Sequence, residues 1–91
     1  MRRIRVIREK LGRLKAWGIV HSDENFIRID CRAKGKKEME VIIHESLHVL
    51  FPDLEEDEIE KKAIILTNTL WYEYYRRVDN DTKIPLQDGK V

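Results

Sequence analysis

The chain has few of the features that would place it outside an aqueous, reducing compartment. Its 91 residues include one cysteine, Cys31, so no internal disulfide can form, and a reducing cytoplasm is the expected setting. No apolar run approaches the roughly 20 residues that a membrane-spanning helix needs. Basic residues near the N-terminus are not followed by an apolar segment, so we do not expect a secretory signal.

Repeats, low-complexity tracts and long linkers are also missing from the sequence. Hydrophobic residues make up 42% and charged residues 38% of the chain, which is typical of a small globular domain with a heavily charged surface. We therefore expect one domain over residues 1–78, followed by a loose tail over residues 79–91.

Charge is unevenly distributed along the chain. Residues 1–37 carry a net charge of +8, and residues 38–91 carry −7. A basic half can be a nucleic-acid surface, here Arg2, Arg3, Arg5, Arg8, Arg13 and Lys15. It can equally complement the acidic half within one fold, and we favour this second interpretation because no nucleic-acid motif accompanies the charge.

The most informative segment is His44-Glu45-Ser46-Leu47-His48. On a helix, His44 and His48 lie on one face about one turn apart, so both imidazoles can bind a single metal ion, for which zinc is the natural candidate. Glu45 lies beside them and can act as the general base that takes a proton from a metal-activated water. Residues 37–51 contain no glycine or proline, and Pro52 ends the predicted helix.

Apolar residues surround this helix nearly completely, so we expect it to be buried. Buried histidines need polar partners, and metal ligation supplies them. The alternative, two core histidines hydrogen-bonded to the backbone, leaves Glu45 unexplained.

A β-hairpin is predicted before the motif. The segments 14–21 and 26–32 flank four turn-forming residues, 22–25. This register pairs three sets of residues on one apolar face: Val20 with Ile27, Gly18 with Ile29, and Ala16 with Cys31. Residues 3–8 are expected to form a basic edge strand.

A second helix is predicted from about Leu54 to Arg77. Asp53 is placed to act as its N-cap, and Glu56, three residues later, completes a capping-box spacing.

The third metal ligand is expected on this second helix. If the two helices pack antiparallel, residues 57–60 lie opposite His48, and three of them are acidic: Asp57, Glu58 and Glu60. We favour Glu60 because its helical position falls inside the apolar arc, where a carboxylate needs a partner. His21 and Cys31 are alternative ligands, although single residues of these types are usually structural.

The segment from Glu40 to Trp71 resembles the short zincin-like metallopeptidase proteins of phages and mobile elements, in particular the ImmA/IrrE type. Those proteins carry a Glu-x-x-Ala element on the helix after the motif, with its glutamate as the third zinc ligand, and Glu60-Lys61-Lys62-Ala63 matches it. The resemblance covers about a third of the chain. It implies an α+β fold with a minimal zincin-like core, in which a small antiparallel sheet of about three strands packs on the motif helix and a second helix.

The expected function is therefore zinc-dependent hydrolysis of a peptide or protein substrate. Zn²⁺ would bind His44, His48 and Glu60, and Glu45 would be the general base. Candidate oxyanion donors are Tyr72, Tyr74, Tyr75 and His21. By analogy with zincins, the resemblance implies a substrate that adds in extended form to an exposed strand edge, that of the hairpin strand nearest the motif helix. The alternatives are hydrolysis of a non-peptide amide or ester, and a non-catalytic, zinc-stabilised interaction or nucleic-acid-binding protein of a phage or mobile element.

Overall fold

The computed structural model describes residues 3–12, 16–21 and 25–78, with the side chain of His21 excepted. Three strands precede two helices, as the predicted α+β class requires: β1 (Arg5–Glu9), β2 (Gly18–His21), β3 (Phe26–Asp30), α1 (Gly35–Leu50) and α2 (Glu56–Tyr72). No helix in this described part is long and apolar enough to cross a membrane. The predicted tail, 79–91, lies outside the described residues.

The predicted hairpin is confirmed in its register. β2 pairs antiparallel with β3, with Val20 opposite Ile27 and Gly18 opposite Ile29. Asn25, at the end of the turn, has a φ of 56°, a left-handed conformation that asparagine tolerates. The expected Ala16–Cys31 pair falls beyond both strands, which are shorter than predicted.

The expectation of an all-antiparallel sheet is wrong for β1. This strand pairs with β3 in the parallel direction, and the strand order is β1-β3-β2. β2 already occupies one edge of β3, so β1 takes the other edge. From there Ile4 and Val6 reach the core cluster around Ile27 and Ile29, both of which are fully buried. β2 is consequently an edge strand, which matters for the site below.

Asp30, the last residue of β3, connects the segment after β1 and the turn after β3 by hydrogen bonds. Its carboxylate is fully buried and accepts hydrogen bonds from the backbone N–H of Leu11 and from the backbone and guanidinium of Arg32. The guanidinium hydrogen bonds of Arg32, then its backbone N–H, its charge and the N–H of Leu11, hold the pKa of the Asp30 carboxyl well below its ordinary range, against the opposing effect of burial.

A pH dependence of stability follows from Asp30. Because its pKa is lower in the folded chain than in the unfolded one, the carboxylate stabilises the fold above the unfolded pKa of about 3.9, and this contribution is lost as the pH falls below that value. We expect Asp30→Asn to lower the urea midpoint at neutral pH, and the difference from wild type to shrink in strong acid. Exposed Asp53→Asn is the matched control, and an equal loss at all pH values would contradict this role.

α1 lies between two apolar clusters. Val41 packs with Ile27 and Ile29 of the sheet, whereas Leu47 packs with Ile59 and Ala63 of α2. The helix is nevertheless not buried all round as predicted, since Leu50 is 54% exposed. The two packed faces do not cover the C-terminal end of α1, which is open to solvent. Polar residues near this end of the helix can therefore line an accessible site.

α2 is shorter at both ends than predicted. It begins at Glu56, its N-cap is Glu55, and no side chain caps its first turn, so the expected Asp53–Glu56 capping box is wrong. It ends at Tyr72 because Tyr74 adopts a left-handed φ of 68° and the N–H of Tyr75 bonds to the carbonyl of Leu70, a Schellman ending. The missing capping box leaves the Glu56 carboxylate available for another role.

Candidate metal centre

His44 and His48 lie one turn apart on α1 and face the first turn of α2. Their ring centroids are 5.1 Å apart and the rings are inclined at 57°. Both imidazoles are partly buried, with 20% and 26% of their side-chain surfaces exposed. The predicted convergence of the two histidines is thus present.

The carboxylate that meets them is that of Glu56, the first residue of α2. Its Oε2 lies 3.0 Å from Nε2 of His44, and its Oε1 lies 2.8 Å from Nε2 of His48. Within the described part of the chain, these three residues form the group whose ligand atoms all lie within 4.8 Å of one another. The His44, His48 and Glu56 group could hold a metal ion.

The donor set fits a catalytic metal. Two histidines and a glutamate are among the known ligand sets of catalytic zinc sites. With bonds of about 2.0–2.2 Å, tetrahedral ligands stand roughly 3.3 Å apart, close to the spacing between the carboxylate and each imidazole. Because Glu56 is 61% exposed, the site is open on one side, as a catalytic metal requires for water and substrate.

The connection between the helices explains why Glu56 reaches the histidines. Pro52 stops α1, the backbone turns with a bond from the N–H of Leu54 to the carbonyl of Phe51, and Leu54 packs into the cluster between the helices. α2 thus starts beside the last turn of α1. Glu56 was not among the predicted ligands because its carboxylate was assigned to the capping box. Its inward position on the predicted helix was the signal that could have identified it.

Glu60, the predicted third ligand, lies one turn further along α2. It is exposed and lines a cavity of about 230 Å³ together with His44 and Glu45, but it is not a member of the three-residue group. Cys31, half-buried in the turn after β3, is not a member either. The side chain of His21 lies outside the described residues.

Glu45 lies on the other side of His44, against the edge strand β2. Its side chain lines the same cavity and packs against Gly18. Burial raises the pKa of the Glu45 carboxyl above its ordinary value, and the nearby Glu56 adds to the rise, while His44 and His48 oppose it. A raised pKa brings a carboxylate closer to the neutral range in which general bases work best.

Three features therefore lie close together: a group of side chains that could hold a metal ion, a half-buried carboxylate beside it, and the strand β2 along the cavity wall. The three tyrosines named as candidate oxyanion donors are not with them. Tyr72 is the last residue of α2, about 24 Å along the helix axis from Glu56, and Tyr74 and Tyr75 lie beyond it. No protein-family model, curated protein or solved structure matches this chain.

Proposed function

We propose that this protein is a zinc-dependent hydrolase, a minimal metallopeptidase with His44, His48 and Glu56 as its zinc ligands. The observation that carries this proposal is the Glu56 carboxylate, which lies within 3.0 Å of both imidazoles of the motif while Glu45 remains beside them. Two histidines and a general base on one helix are the minimal set for hydrolysis by this chemistry.

Each residue has a distinct role in the proposed reaction. Bound zinc would supply the Lewis acid that makes a water molecule acidic near neutral pH and polarises the substrate carbonyl. Glu45 accepts a proton from the attacking water as the water oxygen bonds to the carbonyl carbon. Glu45 then delivers that proton to the amide nitrogen as the C–N bond breaks, so the carboxylate is regenerated in each cycle.

The substrate would be a peptide in extended form. Among the described residues β2 is an edge strand, and it borders the cavity at Gly18, so its outer edge is suited to main-chain hydrogen bonds with a peptide. Such binding would pass the scissile bond across the opening of the His44 and Glu45 cavity. The resemblance to the ImmA/IrrE type, noted from the sequence, points to the same class of substrate.

Ion pairs within the fold involve part of the basic segment 1–37. Arg8 pairs with the buried Glu38, which also pairs with Arg77, and Arg32 pairs with Asp30. Arg28 pairs with Glu9 across β1 and β3. The Arg8–Glu38 pair joins the basic and acidic halves of the chain and supports the interpretation that they complement each other, so nucleic-acid binding remains the alternative function.

The direct test is zinc loading followed by cleavage of a peptide library. We expect one zinc per chain by elemental mass spectrometry on untagged protein, and new peptide termini by mass spectrometry after incubation with a proteome-derived peptide library. His48→Ala should lose both. Failure to bind zinc after reconstitution would refute the metal site, and zinc binding without cleavage would refute the peptidase function.

A further inference from the structure

Gly18 is an unexpected residue at its position in β2. It is the first residue of the edge strand β2 and lies opposite Ile29. Glycine in a strand costs conformational entropy and contributes no side-chain packing. Its backbone does not require glycine, since its φ lies outside the positive range; in the described part of the chain the glycine with such a φ is Gly35. A reason for glycine has to come from its surroundings.

The surroundings of Gly18 are the side chain of Glu45. A Cβ atom at position 18 would lie 2.6 Å from Cγ, 2.7 Å from Oε2 and 2.9 Å from Cδ of Glu45. All three distances are well below ordinary van der Waals contact, which begins near 3.5 Å. All three atoms belong to one side chain, so any residue larger than glycine would displace Glu45 in particular.

We propose that Gly18 is a positioning residue for Glu45, an inference that rests on the proposed function. The missing side chain lets the Glu45 carboxylate lie against β2, beside His44 and on the cavity wall. With a methyl group at position 18, the carboxylate must rotate away or the strand must move. Displacing a general base by about 1 Å is enough to cost on the order of a hundredfold in rate.

The test compares Gly18→Ala with Gly12→Ala. At Gly12 an added Cβ meets the guanidinium of Arg32 at 3.4 Å, an ordinary contact with the end of a flexible side chain, so the same chemical change is tolerated there. We expect Gly18→Ala to keep one zinc per chain and to lower kcat at least about tenfold with little change in KM, on a peptide that wild type cleaves. Gly12→Ala should resemble wild type in all three measurements.

A second measurement needs no activity. The Tm change caused by Gly18→Ala is measured in the wild-type chain and again in a Glu45→Ala chain. We expect the change to be more destabilising in the wild-type chain, by about 3 °C or more. In the Glu45→Ala chain the clash is absent, and alanine at position 18 only restricts the unfolded chain. Equal Tm changes in the two backgrounds would overturn the contact. A normal kcat, or a raised KM alone, would overturn the positioning role.

These results separate this inference from the proposed function. If the wild-type protein cleaves no peptide, the peptidase proposal fails, and the Tm comparison still decides whether Gly18 sets the place of Glu45.

Discussion

Glu45→Gln is expected to lower kcat by a factor of about 10² to 10⁴ while zinc binding is unchanged. Glutamine has nearly the same shape as glutamate, so the packing against Gly18 is preserved, but its amide cannot accept and return a proton. Glu45 is not a member of the three-residue group that could hold a metal ion, and its replacement therefore leaves His44, His48 and Glu56 intact. Steady-state kinetics on a cleaved library peptide, with zinc content measured on the same samples, would check this.

Glu40→Gln is the matched control for this experiment. Glu40 lies one helical turn before His44 and lines the same cavity, so its replacement removes the same charge from the same surroundings. We expect its kcat to remain within about threefold of wild type, since no proton transfer is assigned to it. Full activity in Glu45→Gln, or an equal loss in both variants, would refute the assignment of Glu45 as general base.

Glu56→Ala is expected to weaken zinc binding by at least about a hundredfold. Groups that only hydrogen-bond to a metal ligand commonly contribute 10- to 100-fold in affinity, so the loss of a direct ligand should reach or exceed that range. Competition with a fluorescent zinc chelator would measure the change. The effect should appear without any substrate, which makes this test independent of peptidase activity.

Glu60→Ala provides the comparison, because it removes the same charge from the same helix one turn away. The structure places Glu60 on the cavity wall rather than among the ligand atoms, and we expect less than about a fivefold change in zinc affinity. The reverse result, with Glu60→Ala losing zinc and Glu56→Ala retaining it, would support Glu60 as the third ligand, as its helical position and the Glu-x-x-Ala resemblance predict.

The sequence predicted the local structure of this chain well wherever short-range patterns decide it. Alternating residues and a four-residue turn fixed the hairpin register, down to the Val20–Ile27 pair. The absence of glycine and proline before Pro52 located the motif helix to within a few residues. The histidine spacing correctly placed both imidazoles on one face.

Longer-range predictions were less successful. The strand with which β1 pairs, and its direction, depend on contacts between residues far apart in the chain, and neighbouring residues carry no information about those contacts. The early end of α2 depends on a left-handed tyrosine, which propensity rules do not anticipate. The start of α2 was predicted two residues too early, which gave Glu56 a capping role that it does not have. The structure brings Glu56, one helical turn before the predicted ligand Glu60, to the two histidines.

The sequence by itself determined which groups the motif helix brings together: the imidazoles of His44 and His48, one turn apart, with the carboxylate of Glu45 between them in the chain. That information is local, since an α-helix fixes the relative positions of residues one turn apart. Only the tertiary structure decided which acidic residue of α2 meets His44 and His48, and that Glu45 lies in the space left by Gly18. Both depend on how separate elements pack together. The packing of the whole fold determines which turn of α2 meets the histidines and whether a side chain at position 18 has room.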